Sequence, residues 1–430
     1  MSWNNHSLDG CHLEELANRY GTPLYVYSVK TMENKIQELK QAFTVAYPNT
    51  RIAYAAKAFL NKAMVGFVMD QGIYLDVVSG GELTLALEAG MDPERIEFNG
   101  NNKLAWEIEL AVKEGVGRII VDGYGEVELI QHYAKLYSQT VPLLFRITPG
   151  ISADSHDYIV TGKKDSKFGF PLDLQRLLSE IQATQESPYT PFYGFHFHLG
   201  SQLFEPELYA EALDLLFTFY DELLEHIQVD FKELNIGGGF GIPYRPGEPS
   251  LPYSFFFEPL MTKVTEYFEK KGLPRPAVIT EPGRSIVGEA GLSLYRVGTV
   301  KTLEGIRTYV SVDGGMTDNI RPALYQAKYH GELVGKDREG KGEVVTICGK
   351  CCESGDILIQ DLEIPPVDSR DLLVVYNTGA YGYSMASNYN LLPKPGIVWV
   401  KDGKDYLVTK PQTIQQIYEN DLDYPFKKDE

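Results

Sequence analysis

Short apolar runs alternate with amphipathic, helix-length stretches from about Arg51 onward. The runs Ile52–Ala56, Ile73–Val77, Ile96–Asn99, Arg118–Val121, Leu143–Ile147, Tyr193–His198, Leu234–Ile236 and Ala277–Thr280 read as strands. Between the early ones lie GELTLALEAG, KLAWEIELAVKEG and GEVELIQHYAKLYS, whose apolar residues recur at helical spacing. Eight such units predict a (β/α)8 barrel. A doubly wound open sheet is the competing plan, but no early G-x-G-x-x-G fingerprint follows a strand. After about residue 290 the pattern changes to period-two runs joined by polar turns: LSLYRVGTVKTLEGIRTYVSVDGG, GEVVTICG, LLVVYNTGAYGY and GIVWVKDGKDYLV. Near the N-terminus, Leu13–Tyr20 and Val29–Phe43 read as helices, and PLYVYS between them as a strand that can join this second sheet. The expected class is therefore α/β plus all-β. Residues 30–287 form the barrel, and residues 1–29 and 288–430 form a β-sandwich or β-barrel domain.

Composition changes this picture little. The chain has 430 residues, 43% apolar, enough to bury a core without staples. A net charge of -19 argues against general binding to nucleic acid or to an anionic membrane. No apolar run approaches the roughly 18 residues of a membrane span. MSWNNHSLDGCHLEELA lacks the basic-then-apolar pattern of a signal peptide. Four cysteines are too few for a disulfide scaffold, so a reduced, cytoplasmic setting is expected.

Barrel chemistry sits at the C-terminal ends of the strands, and polar groups cluster there. The first strand runs into AYAAKAFL and places Lys57 at its tip. A desolvated lysine there is a nucleophile or Schiff-base former, although Lys57 could also simply start a loop. The second strand carries Asp76 to the same rim, ahead of Ser79, Gly80, Gly81 and Glu82 in the turn to the next helix. In YGFHFHLGSQ, His196 and His198 would share one strand face, open to a metal-site reading except that no third ligand is near. A flat imidazole at His198, next to the Gly200 turn, could pack on a flat ring. Gly237, Gly238 and Gly239 strip the seventh strand end of side chains, leaving N–H groups to surround an anion such as phosphate. The eighth strand ends in Glu281, Pro282, Gly283 and Arg284, a carboxylate and a guanidinium around a tight turn. A lysine, a stacking imidazole, a phosphate nest and a carboxylate for a pyridine nitrogen together point to pyridoxal 5'-phosphate.

GKCCESGD adds a second question, because three of the four cysteines fall at 348, 351 and 352. A zinc knot wants about four ligands from spaced pairs, which adjacent cysteines do not supply. Cys348 and Cys351 have C-x-x-C redox spacing, but in a β-rich context.

The chain resembles the diaminopimelate decarboxylases, within the alanine racemase-like, fold-type III group of pyridoxal-phosphate enzymes. The resemblance runs over nearly the whole chain, through YAAKA, DVVSGGEL, HDYIVTGKKDSKFG, HFHLGSQ, GGGFG, EPGR, DGGMTDNIRPALYQ, CCESGD and NTGAYGYSMASNYN. It implies a Schiff base between the cofactor and Lys57, His198 stacked on the ring, and Glu281 at the pyridine nitrogen. Asp76, Ser201, Gly237, Gly238, Gly239, Gly283, Arg284 and Tyr381 become the cofactor and phosphate shell. Arg284, Arg321, Tyr325, Glu353 and Tyr381 become substrate contacts. Cys352, with Glu353, becomes the pair that the second subunit of a homodimer inserts into a shared active site, the thiol acting as proton donor. Cys351 stands where the family commonly has an apolar residue, and Tyr376 nearby takes no role. The implied reaction is loss of CO2 from meso-2,6-diaminopimelate to give L-lysine, the last step of lysine biosynthesis. The alternatives on the same plan are a basic amino acid decarboxylase, a racemase, and a non-catalytic cofactor carrier.

Overall fold

The computed structural model describes residues 5–151, 166–336 and 342–426. Most of HDYIVTGKKDSKFG lies outside these. The chain divides into two compact units, one of residues 31–243 and 247–288, the other of residues 1–30, 244–246 and 289–430.

In the first unit eight parallel strands form a ring. They are Thr50–Ala55, Tyr74–Val77, Ile96–Phe98, Arg118–Val121, Leu143–Thr148, Phe192–His196, Glu233–Asn235 and Ala277–Thr280. The ring closes because Leu143–Thr148 pairs with Phe192–His196. Helices between strands bury their apolar stripes: Ile108, Ala111 and Val112 on one, Val127, Ile130 and Ala134 on the next. Ser79 accepts the N–H of Glu82 at 3.2 Å, and Glu82 accepts that of Val78 at 2.8 Å. This reciprocal cap starts the helix Gly80–Glu88 directly after the second strand.

One strand expectation changes. The sixth strand stops at His196, so His196 and His198 do not share a strand face. Phe197 N–H makes the last ladder bond, to the Asn235 carbonyl of the neighbouring strand at 3.0 Å, and the chain then turns through Gly200 at φ +156°.

In the second unit Leu24–Ser28, from PLYVYS, lies between Gly291–Leu303, antiparallel to it, and Gly396–Lys401, parallel to it. Alternate residues of these strands, Leu24, Val26, Leu292, Leu294, Val398 and Val400, pack with Leu13 and Leu16 of the helix Leu13–Tyr20. The period of two therefore puts one face on an apolar core. The hairpin of Gly396–Lys401 with Lys404–Thr409 turns on Asp402 and Gly403, both at positive φ, as a tight two-residue turn requires. The strands are not all antiparallel, since Arg307–Val312 also runs parallel to Glu343–Cys348. Nor does a closed β-barrel form. Among the described residues, Ile357–Ile364 and Lys404–Thr409 end an open strand order. Gly291–Leu303 serves two sets of partners on either side of a register shift at Val297–Val300, which divides the sheet rather than curling it shut.

Candidate active site

The barrel unit gathers Lys57, Asp76, His198, Ser201, Gly237, Gly238, Gly239, Glu281, Gly283 and Arg284 at or just past its strand ends. Lys57 sits in a single 3-10 turn, Ala56–Ala58, immediately after the first barrel strand. It is half-buried, and among the described residues its amine makes no hydrogen bond or ion pair. The EPGR turn lies against this strand end. Ala55 N–H donates to the Pro282 carbonyl at 3.1 Å, and a Cβ at Gly283 would come within 2.9 Å of Ala58.

Glu281 is the most heavily tethered group. Asn235 and Asn99 donate to it at 2.8 and 3.1 Å, and His196 Nε2 lies 3.1 Å away. Burial alone would raise its pKa, but His196 beside it, with Lys57 and His198, outweighs burial and holds the carboxyl far below the usual range. Asp76 shares the Asn99 amide, accepting at 2.6 Å. Burial and the nearby Glu281 charge push Asp76 well above the usual range, against the pull of Lys57. The two carboxyls are therefore pushed apart, Glu281 toward its charged form and Asp76 toward its neutral one.

His198 is held neutral, chiefly by burial and then by the cations Lys57 and Arg146. Its Nδ1 accepts Gly238 N–H at 3.3 Å, which leaves the proton on Nε2. Arg284 clamps Ser201 with two donors, Nε at 3.2 Å and Nη2 at 2.9 Å.

The glycine turn works differently from a nest of three open N–H groups. Gly237 donates to Asn235 Oδ1 at 2.9 Å and Gly238 to His198. Among the described residues only the Gly239 N–H of the three is left for an anion. The glycines are needed because backbones meet here. A Cβ at Gly238 would overlap the Glu281 carbonyl oxygen, and one at Gly239 the Gly200 carbonyl oxygen. Gly238→Ala should therefore lower stability by about 2 kcal/mol or more through overpacking against rigid backbone. Urea unfolding checks this, as a lower midpoint at unchanged m-value.

The second unit holds Arg321, Tyr325, Cys352, Glu353 and Tyr381. Arg321 opens the short helix Arg321–Tyr325 and is buried. Its guanidinium lies 4.9 Å from the Tyr244 ring centroid and donates to the Tyr329 hydroxyl, while Nε has no partner among the described residues. Tyr325 is half-buried on the same helix. Tyr381 is half-buried and sits at φ +58°, between Ala380 and Gly382. Tyr376 points elsewhere, donating to Glu332 at 3.2 Å.

GKCCESGD is the turn between Glu343–Cys348 and Ile357–Ile364. Its organiser is the buried Asp356, which accepts the N–H groups of Cys351 at 2.8 Å and Met316 at 2.7 Å. Gly315 and Gly349 leave room for that carboxylate, which a Cβ at either position would strike. Three sequence motifs meet here, because Cys352 N–H also donates to Asn390 in SMASNYN at 2.8 Å. Cys351 faces inward, 4.0 Å from Thr317, with burial pushing its thiol up to about 11. Cys352 and Glu353 face outward and are exposed. All four cysteines are free thiols, and no cluster of metal ligands occurs among the described residues.

Sequence reasoning missed Asn99, Asn235, Glu97 and Asp356. The first three lie in or directly after barrel strands that read as buried, and that mismatch of polar residue and apolar context was the available signal. Asp356 had none, since an aspartate after Ser-Gly reads as an ordinary turn.

A half-buried amine without a partner among the described residues, an ionised buried carboxylate, a neutral imidazole and an open Gly239 N–H fit the donor and acceptor set of pyridoxal phosphate. Such a rim on a closed parallel barrel defines a pyridoxal-dependent enzyme. The family described as "Pyridoxal-dependent decarboxylase, pyridoxal binding domain" matches residues 30–288. A diaminopimelate decarboxylase from Bacillus subtilis is 45% identical over 412 residues, covering 96% of this chain and 93% of that one. The solved diaminopimelate decarboxylase from M. jannaschii superposes with a TM-score of 0.90 at 33% identity, covering 97% of this chain and 96% of that one. The Helicobacter pylori enzyme, solved with L-lysine, superposes with a TM-score of 0.86 at 30% identity, covering 95% and 98%. The chain belongs to the diaminopimelate decarboxylase family.

Proposed function

We propose that this protein decarboxylates meso-2,6-diaminopimelate to L-lysine and CO2, the final step of lysine biosynthesis. The observation that carries this reading is the barrel rim, where a Lys57 amine without a partner among the described residues, a charged Glu281 and a neutral His198 stand together. Pyridoxal phosphate, when bound, supplies the electron sink for the pair released with CO2. Lys57 would hold the cofactor through its side-chain amine. Glu281, charged across neutral pH, accepts the pyridine N–H and keeps that proton in place. His198, neutral and fixed through Nδ1 by Gly238, offers a flat face to the ring without adding a charge. The Gly239 N–H, Ser201 and Arg284 would bind the cofactor's phosphate, with Gly283 giving the close approach.

Arg321 and Glu353 suit the carboxylate and the ammonium at the far end of the substrate, and Tyr325 flanks them. Cys352 delivers a proton to Cα and recovers one from solvent. The exposed position of Cys352 and Glu353 supports their entry into the site of a second copy of the chain, giving a homodimer with shared sites. Among the described residues no helix is long and apolar enough to cross a membrane. A cytoplasmic setting accords with the four free thiols.

A substrate panel tests the reading. Charged recognition built for a distal carboxylate rejects substrates lacking it, so kcat/KM for ornithine and lysine should fall roughly 10⁴-fold below that for meso-diaminopimelate. CO2 release and lysine formation are measured. Equal or better turnover of ornithine would replace this reading with that of a basic amino acid decarboxylase.

A further inference from the structure

Below Glu281 a column of buried polar side chains runs from strand to strand. At its lower end Arg51 and Arg118 both donate to Glu233, with Arg118 Nη2 at 2.7 Å. Above them is Glu97, fully buried, its Oε1 at 3.9 Å from Arg118. Asn235, also fully buried, connects Glu97 to the rim. Its amide nitrogen donates to Glu97 at 3.0 Å and to Glu281 at 2.8 Å, and its Oδ1 accepts Gly237 N–H at 2.9 Å. That uses both amide protons and fixes which way the amide faces, since only oxygen can accept from Gly237. One side chain thus ties the ring-facing carboxylate to the start of the glycine turn, and Glu97 is its anchor from below.

We propose that Asn235 and Glu97 are a positioning pair: Glu97 orients the Asn235 amide, and Asn235 sets Glu281 and the Gly237 turn in register for the cofactor. Neither residue reaches the reacting atoms. A fully bonded buried amide has one rotamer, and it transmits that order to Glu281. The pair also couples charge. Glu97 is faced by Arg118, Glu281, Glu233 and Arg51, with Asp76 near, and burial first, then Glu281 and Glu233, push it up to about 8 against Arg118 and Arg51. Raising the pH through that value adds a negative charge beside Glu281.

The inference rests on the proposed cofactor site, and the test separates the two. Cofactor-loaded wild type, Asn235→Ala, Glu97→Ala and Glu97→Gln are compared for the rate of cofactor loss on dilution into a scavenger, for absorbance from pH 6 to 9, and for kcat and KM. Misplacement of this kind should speed cofactor loss by roughly 10-fold or more in Asn235→Ala and Glu97→Ala, with kcat falling about as much. Glu97→Gln keeps an acceptor for Asn235, so it should retain cofactor within about threefold of wild type while losing the absorbance change near pH 8. Wild-type retention and kcat in Asn235→Ala, or a Glu97→Gln protein as impaired as Glu97→Ala, would overturn the pair. Should Asn235→Ala fail to fold, Glu97→Ala carries the same comparison with the glycine turn intact. If the wild type retains cofactor but releases no CO2 from diaminopimelate, the functional reading fails while the positioning test still stands.

Discussion

Lys57→Ala protein is expected to lose decarboxylation by about three orders of magnitude or more while keeping its fold. The lysine lies in a single turn after the first barrel strand and makes no hydrogen bond or ion pair among the described residues. Its removal breaks nothing that holds the strands. What is lost is the amine proposed to tether the cofactor and the positive charge that helps keep Glu281 ionised and His198 neutral. Far-UV circular dichroism and the thermal midpoint should stay close to the parent, while CO2 release and the visible absorbance of the lysine-bound cofactor disappear. A Lys57→Ala protein that decarboxylates at the parental rate would remove the basis of the mechanism.

The adjacent thiols should separate just as cleanly. Loss of a positioned proton donor costs roughly 10² to 10⁴ in rate, so Cys352→Ser should lower kcat by about that much. Cys351→Ser should change kcat less than about threefold. Its thiol is buried against Thr317 and pushed up to about 11, so it stays protonated and packs. Serine there costs stability, about 1 kcal/mol, because a buried hydroxyl is harder to satisfy than a thiol. Mixed subunits test the shared site in the same experiment. Reassorted Lys57→Ala and Cys352→Ser chains give half heterodimers, each with one intact site, so about a quarter of wild-type activity should return. No return on mixing, with heterodimers shown by mass, would place both residues in the site of one chain.

How much of this was legible follows a physical division. The eight strands were readable because buried parallel strands are short apolar runs between amphipathic helices. The hairpin at Asp402–Gly403 was readable because its turn chemistry is local. Opposite orientations for the adjacent cysteines follow from an extended stretch, but the residues form a turn, and it is that turn that leaves Cys351 buried and Cys352 exposed. The strand end at His196 was not readable, because it depends on where the ladder to the strand of Asn235, 39 residues ahead, stops. Nor was the allotment of the glycine N–H groups, two of which go to side chains brought in by other parts of the chain.

By itself, then, the sequence determined the barrel, the second sheet and the rim residues Lys57, His198, Glu281 and Arg284. Those follow from periodicity and from polar groups placed at strand ends. Tertiary structure alone decided the charge states and the supports. Glu281 is held far below the usual carboxylate range only because His196, Lys57 and His198 arrive from other parts of the chain, and Asp76 is pushed up by burial and by Glu281 itself. The CCESGD turn holds its shape only because Asp356 finds N–H groups at Met316 and Cys351. A pKa and a turn geometry depend on which groups lie within a few ångströms, and the tertiary fold of each unit, not order along the chain, sets that.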